Sequence, residues 1–150
     1  MRNAVLLAAV LAGAFGSAAS AAEVEVKMLN KGAAGVMVFE PAIVQIQPGD
    51  TVKFVATDKG HNAETIDGML PEGASPVAGK MGEDAVATFD KPGVYGLRCK
   101  PHYGMGMVAM VVVGQPTNLD QAKAVTHPGK AKATFAALFD KLATSKTAGN

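Results

Sequence analysis

Arg98-Cys99-Lys100-Pro101-His102-Tyr103-Gly104-Met105-Gly106-Met107 holds the only cysteine of the 150-residue chain, one of its three histidines and two of its eight methionines. A thiolate, an imidazole and a thioether grouped this closely form the ligand set preferred by soft-leaning metals, copper above all. Gly93 to Cys99 reads as a strand before this stretch and Val108 to Val113 as one after it. The donors therefore fall on a Gly-containing turn between two strands, where Gly104 and Gly106 argue against a helix. A lone cysteine or a pair of methionines would read as core. The grouping is what points to a metal.

Copper electron-transfer sites combine two histidines and a cysteine in a trigonal arrangement with a long axial methionine. The second histidine must come from elsewhere, and only two remain. His61 lies in Thr57-Asp58-Lys59-Gly60-His61-Asn62, past the strand-like run Thr51 to Ala56, whose end could aim it at the Cys99 loop. His127 lies in Thr126-His127-Pro128-Gly129, between two helical segments, and reads as an exposed linker residue. His61 is the better candidate. The axial donor stays open between Met105, three residues after His102, and Met107, five after it.

The start of the chain, Met1 to about Ala21, reads as a secretory signal, with Arg2 in a short basic region, an apolar run from Ala4 to Phe15, and Ala19-Ser20-Ala21 as a cleavage site. That run is too short to span a bilayer, which takes about 20 residues, so the expectation is an exported, non-membrane domain over residues 22–150. An unpaired cysteine in an oxidising compartment is open to oxidation unless buried or metal-bound, which again favours Cys99 as a ligand. Loss of Arg2 with the signal leaves 13 basic residues of the original 14, against 13 acidic ones. Bulk charge therefore selects no partner. The absence of tryptophan and of any basic run with interleaved aromatics argues against a nucleic-acid partner.

Val24, Val26 and Met28 alternate with polar residues from Glu23 to Leu29, the period of a half-buried strand. Further strands are predicted at Val36 to Phe39, Ala42 to Gln47, Thr51 to Ala56, Ala85 to Phe89, Gly93 to Cys99 and Val108 to Val113, with turns at Pro48-Gly49-Asp50 and Lys91-Pro92-Gly93. Short strands with such punctuation make an all-β sandwich. Met69 to Gly82 reads as a long loop. A helical extension over 116–146 follows: a short helix from Pro116 to about Val125, then a longer one from Ala131 to about Ser145. In the second, Phe135, Leu138, Phe139 and Leu142 form an apolar stripe that packs on the sandwich.

Met28-Leu29-Asn30-Lys31-Gly32, Met37-Val38-Phe39-Glu40-Pro41, Pro48-Gly49-Asp50-Thr51-Val52, Asp58 to Asn62, Pro92 to Gly96 and the Cys99 to Met107 loop together resemble the pseudoazurins, periplasmic blue copper proteins of the cupredoxin family. The resemblance implies a cupredoxin Greek-key β-sandwich with two C-terminal α-helices, and one type 1 copper ion held by His61, Cys99, His102 and Met107. It decides the axial donor for Met107. It also implies that Asn30, or the backbone amide near it, faces the Cys99 sulfur and that Asn62 ties the two ligand loops together. Pro101 withholds an N–H from that sulfur and stiffens the loop. One departure is Lys100, where a small hydroxyl residue is expected. It removes any hydroxyl link to Asn62 and adds a positive charge.

A closed set of four ligands leaves no position for a substrate, so the expectation is an electron carrier and no enzyme. By resemblance, electrons leave through the His102 edge within an apolar patch of Met37, Pro101 and Met105, with Lys31, Lys59, Arg98 and Lys100 around it. Transient redox partners are implied: a copper nitrite reductase or another periplasmic denitrification reductase as acceptor, and a c-type cytochrome or quinol-linked complex as donor. The alternatives are an amicyanin-like carrier for an amine dehydrogenase, a periplasmic copper-binding or chaperone module, a Cys–His hydrolase, or zinc in the same ligands. No methionine-rich tract supports the chaperone, and nothing marks an oxyanion site for the hydrolase.

Overall fold

The computed structural model describes residues 20–147. Almost all of the expected signal segment, residues 1–19, lies outside the described residues. The alternation that begins at Glu23 runs as β1 (Glu23–Gly32), with Val26 and Met28 buried and Glu23, Glu25 and Lys27 exposed. It pairs antiparallel with β2 (Gly35–Glu40) and parallel with β4 (Asp50–Val55), and β4 pairs in turn with β6 (Ala85–Phe89). The first sheet thus has the order β2-β1-β4-β6. The second has the order β3-β8-β7-β5, from β3 (Ile43–Ile46), β8 (Val108–Val113), β7 (Gly93–Arg98) and the two-residue β5 (Glu64–Thr65). Each sheet contains one parallel pair, β1 with β4 and β3 with β8. Seven strands fall where the sequence predicts them, within a few residues at each end. The exception is β5, too short to show a period.

Between the sheets lie Val26, Met28, Phe39, Phe54, Phe89, Tyr95 and Leu97. Phe39 meets Phe54 edge-on with ring centroids 6.2 Å apart, and Phe89 meets Tyr95 at 4.9 Å. All six residues of β8 are buried. Ala109, Val111 and Val113 face this core, whereas Val108, Met110 and Val112 pack with Phe135, Leu138 and Leu142 of the tail. A strand covered on both faces reads as a continuous apolar run and not as an alternating one.

The tail forms α1 (Leu119–Lys123) and α2 (Ala131–Thr147). The first is shorter than the predicted Pro116 to Val125, because Asn118 is committed elsewhere. Its Oδ1 accepts the Val94 N–H at 2.7 Å and its Nδ2 donates to the Val94 carbonyl at 2.9 Å. Since β5 pairs only with Leu97 and Arg98, that edge of β7 is open at Val94. Asn118 completes it at the expense of capping α1. Met69 to Gly82 is largely irregular, as predicted, with one bridge from Ala78 to Glu64. Its start packs closely on β7. A side chain on Gly96 would meet Met69 Sδ at 2.5 Å.

At the other end of the sandwich, Asp50 opens β4 and accepts the Ala22 N–H at 2.8 Å and the Gln47 N–H at 2.8 Å. These backbone bonds, Gln47 foremost, lower its pKa below the usual carboxylate value. A depressed folded-state pKa contributes stability above the ordinary value and loses it as pH falls through the folded one. Asp50→Ala should therefore lower the urea midpoint at neutral pH. The gap to wild type should close as pH drops through and below the normal carboxylate range. A gap independent of pH would show that the carboxylate charge contributes nothing.

Candidate metal centre

Cys99 follows β7 directly and is fully buried; His102 sits in the turn after it, and Met107, also fully buried, immediately precedes β8. That turn consists of short 3-10 pieces within Lys100–Met105 that meet at a kink at His102 (φ −114°, ψ 17°), where the sequence reading expected a turn without helix. Pro101 suits a first turn, where its missing N–H has no partner to lose, and Gly106, at φ 91°, stops the helix in the left-handed region. Gly104 merely tolerates it. Hydrogen bonds then fold the stretch on itself: the Cys99 N–H donates to the Met107 carbonyl at 3.0 Å, and the Met107 N–H to the His102 carbonyl at 3.2 Å.

The loop between β4 and β5 brings His61 to the same place, fully buried. Its Nδ1 lies 3.1 Å from His102 Nδ1 and 3.6 Å from Cys99 Sγ, and His102 Nδ1 lies 3.4 Å from the sulfur. Among the described residues these three side chains form the one His/Cys/Asp/Glu cluster able to hold a metal ion. A point equidistant from three atoms with those separations lies about 2.0 Å from each. That is the length of an imidazole–metal bond for an ion such as zinc and slightly short of about 2.3 Å for a thiolate. Lone pairs at this spacing repel one another unless a proton or a cation lies between them. The donor set fits a soft-leaning cation.

The electrostatics agree. Burial first, and then the nearby His102, push the His61 pKa down, which keeps its imidazole neutral and able to ligate. Asn30 Oδ1 lies 2.9 Å from His61 Nε2. An acceptor there places the proton on Nε2 and leaves the Nδ1 lone pair for a metal. Burial raises the Cys99 thiol, while the backbone amides of Asn62 and His102 act to lower it. A bound cation would complete the deprotonation. Asn30 therefore joins the site through His61, and the amides facing the sulfur are those of Asn62 and His102, where the sequence reading expected Asn30 or the amide near it.

Asn62 does tie the two loops together. Its Oδ1 accepts the Lys100 N–H at 2.8 Å, so the backbone of Lys100 itself links the loops with no hydroxyl side chain at that position. Asn62 Nδ2 donates to Glu64 Oε2 at 3.1 Å and to the Gly79 carbonyl at 3.2 Å. Glu64 Oε1 holds Arg98 Nε and a terminal guanidinium nitrogen, each at 2.8 Å, and the guanidinium lies 5.2 Å from the centroid of the Tyr103 ring. Arg98 is thus ion-paired within this network while its side chain stays 33% exposed. Lys31, Lys59 and Lys100 are exposed.

Met105 is 47% exposed and Met107 is buried beside Cys99 in the same cluster, so the two methionines differ in what they can reach. Met105 instead lines a surface groove of about 380 Å³ with Val36, Met37, Gly106 and Lys130. Met37 sits there at φ 53°, a region that a side chain with a Cβ rarely adopts. Neither Glu64 nor His127 was recognised from the sequence. His127 is no exposed linker residue: it stacks on Phe135 with centroids 4.2 Å apart, and burial lowers its pKa. Contacts across such sequence separations leave no local signal.

Two sheets with a buried Cys/His cluster at one end define a class, the copper-binding proteins of the plastocyanin/azurin family, whose family model matches residues 26–114. Over 128 residues the chain is 56% identical to a pseudoazurin of Methylorubrum extorquens, covering 83% of this chain and 86% of that one. Over 113 residues it is 53% identical to a pseudoazurin of Paracoccus pantotrophus, covering 75% and 78%. The crystal structure of pseudoazurin from Methylobacterium extorquens AM1 superposes with a TM-score of 0.78 at 55% identity, over 80% of this chain and 98% of that one. The chain belongs to the pseudoazurin family of cupredoxins. Its cofactor is copper, and it is a blue copper electron carrier, not an enzyme.

Asn30→Ala removes the acceptor that fixes the His61 tautomer and strengthens its basicity. The variant should bind Cu(II) about 10–100-fold more weakly. Its reduction potential should rise, because the oxidised ion loses more than the reduced one. Redox titration and Cu(II) competition check both, and values equal to wild type would overturn this role.

Proposed function

We propose that His61, Cys99, His102 and Met107 hold the copper ion and that the chain shuttles electrons in the periplasm to a denitrification reductase, a copper nitrite reductase foremost, from a c-type cytochrome. The observation that carries the site assignment is the convergence of three donor atoms within 3.1–3.6 Å. The fully buried Met107 supports the axial role. Bound there, copper supplies a one-electron couple between its two oxidation states. His61 and Cys99, closed off from solvent, exclude water and substrate from the ion. The half-buried His102 provides the edge by which an electron crosses to a partner. Asn30 and Asn62 hold the donors in one arrangement, which limits movement between oxidation states.

The choice of partner rests on the family, whose relatives carry the name pseudoazurin, and on the surface near the site. The apolar groove beside Met105 and Met37, with exposed Lys59 and Lys100 on the ligand loops, suits a brief encounter with an acidic docking face. Export rests on the apolar run and the Ala19-Ser20-Ala21 site. Among the described residues no helix is long and apolar enough to cross a membrane.

The purified protein loaded with Cu(II) should show an intense thiolate-to-copper band in the red. The band should bleach on reduction and be absent from Cys99→Ser. A colourless wild type, or one with only the weak bands of ordinary Cu(II), would overturn the site. With a copper nitrite reductase as acceptor, Lys59→Glu and Lys100→Glu should each slow transfer severalfold at low salt. The difference should fade above about 0.1 M ionic strength, where the screening length is about 10 Å. Equal rates at every salt concentration would remove electrostatic steering.

A further inference from the structure

We infer that His127 is a positioning residue for the copper-binding turn, acting through its hydrogen bond to Tyr103. The inference rests on the reading of Cys99 to Met107 as ligand loop. Tyr103 directly follows His102, and its hydroxyl lies 2.6 Å from His127 Nδ1. The opposite partner of Tyr103 is the Arg98 guanidinium, itself held by Glu64. The ring of Tyr103 is therefore gripped from two sides, by the sandwich through Arg98 and by the C-terminal tail through His127.

His127 in turn has a firm seat. It stacks on Phe135 of α2 at an interplanar angle of 29°, and Phe135 is 1% exposed. Close by, the Lys130 N–H donates to the Gly104 carbonyl at 2.9 Å. The approach is so tight that a side chain on Gly129, which has φ 51°, would overlap that carbonyl. The tail thus meets the turn at two successive residues, Tyr103 by side chain and Gly104 by backbone.

From Tyr103 the constraint reaches the ligands by backbone bonds. The Gly106 N–H donates to the Tyr103 carbonyl at 3.0 Å, and the Met107 N–H to the His102 carbonyl at 3.2 Å. A shift of the Tyr103 peptide therefore moves His102 on one side and Met107 on the other. With copper bound, an axial donor is one of the groups that tune the potential, so a displacement of Met107 or His102 on release of Tyr103 would shift it.

The test uses the copper-loaded full-length mature protein at pH 8, where the His127 imidazole is neutral and its charge contributes nothing. Tyr103→Phe and His127→Phe each remove the bond from one end, and the second keeps an aromatic ring on Phe135. Both should shift the reduction potential in the same direction by similar amounts, with altered relative intensities in the visible spectrum. The double variant should shift no further, since the two act as one unit. His127→Asn, which keeps an acceptor oxygen where Nδ1 stood, should restore the wild-type potential. Unchanged potentials and spectra, with only a lower melting temperature, would overturn the inference and leave the pair as structural glue. Additive shifts in the double variant would overturn it as well. A wild type without the red band would instead overturn the copper site, and with it this role.

Discussion

Asn62 joins the two segments that carry His61 and Cys99. It is buried, and its carbonyl oxygen takes the Lys100 N–H while its amide serves Glu64 and Gly79. A buried amide with its bonding capacity filled this way is costly to replace, because an apolar residue there would leave several partners unsatisfied at about 1–3 kcal/mol each. The backbone N–H of Asn62 also faces the Cys99 sulfur. One residue therefore sets the distance between the loops and helps stabilise the thiolate that one of them carries. Its position next to His61 explains how a histidine and a cysteine 38 residues apart keep their ring nitrogen and sulfur 3.6 Å from each other.

The rest of the molecule supports this junction in layers. The first sheet supplies Asn30 at the far end of β1, and β4 delivers the loop that carries His61. The second sheet supplies Cys99 and Met107 from the ends of its two central strands, β7 and β8. Those strands are buried on both faces because the tail covers the outer face of β8 and Met69, at the start of the long loop, packs on β7. The extension after Gly114 is therefore part of the core. Its Asn118 completes the edge of β7, and Phe135, Leu138 and Leu142 fill the space above β8.

Much of this was legible in the sequence because it is local. Seven strands announce themselves by alternation or by a continuous apolar run, and the candidate metal loop by the grouping of Cys99, His102, Met105 and Met107. His61 could be chosen over His127 because a strand end points a side chain in a definite direction. What remained hidden depends on partners distant in sequence. The capping residue of α1 could not be read, since Asn118 serves Val94 instead. The role of Asn30 was displaced from the sulfur to the imidazole, a difference of one contact that no motif encodes. The ion pair of Arg98 was not foreseen because its partner Glu64 belongs to a strand too short to recognise. His127 looked like a linker residue because Phe135 and Tyr103 lie on other elements.

The placement of β8 between β3 and β7 also governs when the chain can fold. Ile43 pairs with Met110 and Ile46 with Val113, so β3 has no hydrogen-bonding partner until nearly the whole sandwich has been synthesised. Such non-local, parallel pairing closes large loops before it gains contacts, and chains of this kind fold over about milliseconds to seconds. No early fragment of the chain can complete the second sheet. His61 and the Cys99 loop are brought together by a different pairing, that of β5 with β7 and of Asn62 with Lys100, so the three donor atoms converge only once segments 38 residues apart in sequence have met.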